Sequence, residues 1–197
     1  MRDNMDKIVY VKQYIETGIK LREEIIKKNL AIIIEAADII TEAYQNGKTV
    51  YWMGNGGSAA DAQHLACELI SKLNLERASF PSISLTTNTS ILTAISNDYT
   101  FDNIFSRQIQ GLVNDGDVVV GLSTSGNSKN VVNGILEANN KNAVTIGLLG
   151  NKGGAIKNIV DLAIVIPSKT TTLIQESHIM IGHLICDLVE KTMANVN

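Results

Sequence analysis

Residues 49–58 read Thr49-Val50-Tyr51-Trp52-Met53-Gly54-Asn55-Gly56-Gly57-Ser58. The run from 49 to 53 is almost wholly apolar and rich in β-branched and aromatic side chains, the composition of a strand buried on both faces. The glycines end that strand and lead directly into a stretch where Ala62, Leu65, Ala66, Leu69 and Leu73 fall at helical spacing. Strand, glycine turn and helix form one β-α unit. The unit recurs: short apolar runs at 82–86, 118–122, 144–149 and 162–166 alternate with helical stretches, and a last helix spans 172–194. Pro81 precedes one of these runs and Pro167 follows another, as boundary residues do. Repeated β-α-β units with right-handed crossovers predict an α/β fold, a doubly wound five-stranded parallel sheet with helices on both faces.

Upstream of residue 48 there is no strand signal. Ile8, Val11, Ile15, Ile19 and Ile26 recur at helical spacing, and Ile32, Ile33, Ala36, Ala37, Ile40 and Tyr44 form a second apolar run before Asn46-Gly47. The expectation is two N-terminal helices within 1–46 of a single domain covering 1–197. Their many apolar positions predict packing on the main domain, on a partner subunit, or both.

The 197 residues carry a net charge of −3, 45% hydrophobic residues and 5% aromatics. A weakly acidic, aromatic-poor chain argues against nucleic-acid binding and against a base-stacking platform. The longest apolar runs fall far short of the roughly 20 residues that a membrane helix needs. The opening Met1-Arg2-Asp3-Asn4-Met5-Asp6 has acids where a signal peptide is apolar, which points to the cytoplasm. Cys67 and Cys186 suggest no disulfide framework and are expected to be small buried residues of a reducing compartment.

In open α/β sheets ligands bind beyond the carboxyl ends of the strands. Two loops there are chemically rich. Gly54-Asn55-Gly56-Gly57-Ser58 opens a helix; its glycines permit close backbone approach, and the helix start offers free N–H groups to an anion, unless the loop is only a tight turn. Ser123-Thr124-Ser125-Gly126-Asn127-Ser128 places four hydroxyls in six residues at another helix start, where a cap needs only one. Hydroxyls together with free N–H groups suit a phosphate monoester. Asn97-Asp98 closes the segment after the second strand, as a binding pair or a plain turn.

Histidine occurs at three positions, His64, His178 and His183. His64 and Glu68 share a helix face, one turn apart, at the edge of the apolar stripe. On the last helix Gln175 and His183 are about 80° apart, able to line one cleft, whereas His178 lies about 140° from His183. Glutamate, histidine and glutamine make an oxygen/nitrogen metal site, or a metal-free acid–base pair; spacing does not distinguish the two.

Taken together, the run 54–64, the serine loop 123–128 and Ile174-Gln175-Glu176-Ser177-His178 resemble the sugar isomerase (SIS) family. The similarity runs from about Lys48 to Glu190, and in helical layout to the N-terminus. The resemblance implies a three-layer α-β-α SIS domain, a homotetramer with active sites at subunit interfaces, and aldose–ketose interconversion through an enediol. The reaction implied converts D-sedoheptulose 7-phosphate to D-glycero-D-manno-heptose 7-phosphate. That is the first step of nucleotide-activated heptose synthesis for lipopolysaccharide, capsule or surface-layer glycans. By motif match, Ser123, Thr124, Ser125 and Ser128 hold the phosphate; Asn55, Gly56, Gly57, Asn97, Asp98 and Gln175 contact the sugar; Glu68 is the base and also touches substrate; His183 is the acid. Family members bind zinc through positions matching His64, Glu68, Gln175 and His183.

Two departures bear on phosphate affinity. Ser71-Lys72 stands where the family often has Gly-Arg, and Leu173 stands where many members have arginine. Arginine grips phosphate with two parallel bonds and lysine does not. A non-enzymatic relative, the DnaA initiator-associating protein, lacks the glutamate and histidine matching Glu68 and His183. It and isomerases of other sugar phosphates are the competing readings.

Overall fold

The computed structural model describes residues 6–194; the opening 1–5, part of the stretch read above for a signal peptide, lies outside them. In chain order the elements are α1 (Lys7–Gln45), β1 (Val50–Gly54), α2 (Gly57–Ile70), β2 (Ser82–Ser84), α3 (Thr89–Asp98), α4 (Ser106–Leu112), β3 (Val118–Ser123), α5 (Lys129–Asn140), β4 (Val144–Gly150), β5 (Leu162–Ile166) and α6 (Thr171–Ala194). The five strands form one sheet in the order β2-β1-β3-β4-β5, with every neighbouring pair parallel. Strand residues alternate between two cores. Val50 and Trp52 of β1 face a layer shared with α1, α2 and α6, while Tyr51 and Met53 face a layer shared with α4 and α5. The one polar atom of Trp52 is satisfied inside the core by donating to Ser82 Oγ at 2.9 Å.

The expected strands are all present, with one shortened. β2 stops at Ser84 rather than running to 86. The Ser84 and Thr86 hydroxyls bond each other at 2.7 Å at its end, while the Leu85 N–H still donates to the Trp52 carbonyl oxygen at 2.9 Å.

The expectation of two N-terminal helices is corrected: residues 7–45 form one continuous helix of 39 residues. Lys27-Lys28-Asn29-Leu30 between the apolar runs contains neither glycine nor proline, and Asn29 is buried within the helix. The two apolar series run along one side of a single helix, Ile19, Ile26, Ile33 and Ile40 falling at intervals of seven, and what differs along it is burial. Leu21, Ile25, Ile33, Ala36 and Ile40 are buried against the domain, whereas Ile8, Val11, Ile15, Ile19 and Ile26 are exposed. The helix does end as expected, at Asn46 with Gly47 at φ +68°. Cys67 also departs from expectation. It is exposed on the outer side of α2, while Cys186 is buried and burial pushes its thiol up to about 12.

The strand order sets the place of the site. From β1 the chain steps outward to β2 and then crosses back to β3 on the other side of β1, so a crevice opens at the carboxyl ends of β1 and β3. The glycine loop and the serine loop both leave the sheet there.

Candidate active site

The glycine loop is shaped by close approaches. A Cβ on Gly54 would meet the Ser58 carbonyl oxygen at 2.7 Å, and Gly56 holds φ +56° at the start of α2. A Cβ on Gly57 would lie 1.6 Å from Gln175 Nε2, so the absence of a side chain there is what seats the Gln175 amide of α6 against the first turn of α2. Asn55 exchanges two amide hydrogen bonds, each 2.8 Å, with the buried Asn130 of α5, tying the two loops across the crevice. Asn130 was not read as a functional residue; an asparagine in the first turn of a helix was the signal that could have marked it.

In the serine loop the hydroxyls turn inward on one another. Ser123 Oγ lies 3.0 Å from Ser128 Oγ and 3.4 Å from Ser125 Oγ, and it accepts from the Gly126 N–H at 3.1 Å. Ser128 occupies the cap position of α5 yet makes no capping hydrogen bond with its side chain. Its hydroxyl is therefore free for the loop, which is not what a simple cap would show. Gly126 (φ +69°) is pressed against the 153–154 turn, where a Cβ would come within 2.1 Å of the Gly153 carbonyl oxygen.

The third group joins α2 to α6. His64 Nε2 lies 3.2 Å from Glu68 Oε1 and 2.8 Å from His183 Nε2. The two rings meet edge to face, with centroids 5.0 Å apart. Gly182 makes this contact possible: a Cβ there would strike the buried Leu65 at 2.5 Å, so α6 nests directly on α2 at this turn. Two ring nitrogens at 2.8 Å must share a proton or direct both lone pairs at one cation. One ligand atom from each of His64, Glu68 and His183 lies within 4.8 Å of the others. Two imidazole nitrogens and a carboxylate oxygen are a fitting donor set for zinc. Nearby, burial raises the pKa of Asp61, opposed by His64, and its buried Oδ2 meets no hydrogen-bond partner among the described residues.

Of the residues singled out in the sequence, the structure brings His64, Glu68 and His183 into one group and Ser123, Ser125 and Ser128 into another. Thr124 lies in the same loop, its carbonyl accepting from Asn151 Nδ2 at 2.9 Å. Asn97 and Asp98 bond each other at 2.9 Å on the exposed end of α3, and no hydrogen bond ties them to either group among the described residues. His178 is fully buried, away from the cluster, as its angle on α6 implied. Both departures fall outside the cluster: Lys72 pairs with Glu76 on the surface, and Leu173 is buried beside Gly18 of α1.

The chain is similar to known proteins over most of its length. Residues 13–150 match the SIS domain family. The phosphoheptose isomerase of Geobacter metallireducens is 52% identical over 169 residues, covering 85% of this chain and 89% of the relative. That of Sulfurimonas denitrificans is 46% identical over 184 residues, covering 92% and 94%. The solved structure of phosphoheptose isomerase GmhA from Neisseria gonorrhoeae superposes with a TM-score of 0.88 at 37% identity, covering 92% of this chain and 97% of that one.

Proposed function

Because the chain belongs to the SIS domain family, and within it to the phosphoheptose isomerases, we propose that it converts D-sedoheptulose 7-phosphate to D-glycero-D-manno-heptose 7-phosphate. The observation that carries this reading is the meeting of Glu68 and His183, from helices far apart in sequence, in one group with His64. The non-catalytic regulator lacks that pair.

The reaction moves a carbonyl from C2 to C1. Glu68 takes a proton from C1; the C1–H electrons form the C1=C2 bond, and the C2 oxygen gains a proton from His183, giving the enediol. Glu68 then returns its proton to C2 with the C1=C2 electrons, while the O1–H proton passes to His183, restoring its proton, and the O1–H electrons form C1=O. Such positioned acid–base transfer is typically worth about 10²–10⁴-fold. The hydroxyls of Ser123, Thr124, Ser125 and Ser128 and the N–H groups at the start of α5 hold the phosphate. That binding, remote from C1 and C2, orients the reacting carbons. Asn55, Gly56, Gly57, Asn97, Asp98 and Gln175 contact the sugar chain.

His64, Glu68 and His183, with Gln175, would hold a zinc ion, which when bound would supply a Lewis acid to polarise the carbonyl oxygen in place of the His183 proton. The exposed apolar face of α1, from Ile8 to Ile26, supports a homotetramer built through that helix. Among the described residues no helix is long and apolar enough to cross a membrane. We place the reaction in the cytoplasm, at the entry to nucleotide-activated heptose. The test is proton NMR of sedoheptulose 7-phosphate with the protein, as prepared, after chelation and after zinc is restored. Appearance of the aldose phosphate, lost on chelation and regained with zinc, is expected. No conversion under any of the three conditions would overturn the assignment.

A further inference from the structure

The loop between α2 and β2 is organised by a buried ion pair that the mechanism does not use. Glu190, on α6, is wholly buried and accepts four hydrogen bonds: the backbone N–H groups of Leu73, Asn74 and Leu75 at 3.0, 2.7 and 2.9 Å, and Arg77 Nε at 3.0 Å. Arg77, its side chain nearly as enclosed, turns its other two nitrogens to the end of α2. Nη2 donates to the Glu68 carbonyl oxygen at 2.9 Å, and Nη1 donates to that of Leu69 at 3.0 Å. Its guanidinium lies 4.1 Å above the centroid of the Phe80 ring. A cation at a helix C-terminus is stabilised by the peptide dipoles and satisfies carbonyls that the helix leaves unpaired.

The position of this clamp is informative. One end grips the peptide of Glu68 itself. The other is Glu190, seven residues and about two turns beyond His183 on the same helix. The single ion pair therefore joins the two helices that carry the two halves of the His64–Glu68–His183 group. Only a planar fork with several fixed donors makes both connections at once; a lysine makes one.

Resting on the isomerase reading above, we propose that Arg77 and Glu190 are positioning residues that fix Glu68 and His183 at their working separation. A misplacement of about 1 Å at a reacting group can cost on the order of 10²-fold in rate. Loss of an outer partner of a metal ligand typically costs about 10–100-fold in metal affinity or activity.

The experiment compares the full-length protein with Arg77→Lys, Glu190→Gln and Asn74→Ala. Asn74→Ala removes the 2.9 Å bond from its side chain to Asp187, loosening the same loop from α6 while leaving Arg77 in place. Three properties are read beside Tm: kcat and KM for sedoheptulose 7-phosphate, zinc affinity by competition with a chromophoric chelator, and the imidazole NMR signals of the three histidines at one pH. For Arg77→Lys and Glu190→Gln the expected result is kcat down roughly 10–100-fold with KM little changed, and zinc affinity down by a similar factor. The His64 and His183 signals should move while that of His178 stays. Asn74→Ala should lower Tm and leave all three as in the parent. If Arg77→Lys and Glu190→Gln do not fold, Phe80→Leu, which removes the ring beneath Arg77, carries the same test. Folded clamp variants with the parental histidine spectrum, zinc affinity and kcat would reduce the pair to a structural role and overturn the proposal. If the parent itself does not turn over the heptose phosphate, the isomerase reading fails separately, and the histidine spectrum and zinc affinity still decide the clamp.

Discussion

The Nε2 atoms of His64 and His183 lie 2.8 Å apart although 119 residues separate them in the chain. The contact depends on how closely α6 approaches α2, and Gly182 sets that approach. A methyl group at 182 would meet Leu65, which has no exposed surface, at 2.5 Å. Gly182→Ala should therefore lose about 1–3 kcal/mol of stability through overpacking. It should also part the two histidines, so kcat falls more than KM changes. Urea unfolding and steady-state kinetics on the same preparation check both effects.

The serine loop should act on binding rather than on chemistry. Ser125→Ala removes one hydroxyl that lies 3.4 Å from Ser123 Oγ and accepts from the Asn127 N–H at 3.1 Å. Hydrogen bonds to charged groups contribute about 1.5–3 kcal/mol, so KM should rise roughly tenfold or more while kcat stays close to the parent value. An unchanged KM would remove Ser125 from the phosphate site.

His178 makes stability depend on pH. Its ring has no exposed surface, and burial lowers its pKa from 6.5 to about 4, the Leu149 backbone opposing only part of that shift. Between these values the unfolded chain binds a proton that the folded chain does not. Stability contributed by the neutral ring is thus present above about pH 6.5 and lost as the pH falls toward 4. At about 1.4 kcal/mol per unit the whole effect is on the order of 3 kcal/mol. Urea midpoints measured from pH 7.5 down to 4.5 should fall, and His178→Phe should flatten the lower part of that curve.

The sheet was legible because strands buried on both faces leave continuous apolar runs; β5 occupies the residues expected of it, 162–166. The long α1 was not legible as one helix. Its first apolar series is exposed and its second largely buried, and the polar Lys27-Lys28-Asn29 between them reads like a break between elements. Two of the three members of the histidine cluster were legible as a pair, since His64 and Glu68 follow the four-residue repeat of a helix. His183 was reached through the motif match, and its meeting with that pair rests on the packing of α6 on α2, which no local pattern encodes. The same holds for Asn55 with Asn130 and for Arg77 with Glu190, pairs joined only by the fold and separated by 75 and 113 residues.

The most direct test is to follow sedoheptulose 7-phosphate in D₂O with the parent protein and with Glu68→Gln. If Glu68 carries the proton between C1 and C2, the parent yields the aldose phosphate with deuterium at C2, and the variant binds the substrate without converting it. Conversion by the variant at the parental rate, or none by the folded, zinc-supplied parent, would contradict that assignment.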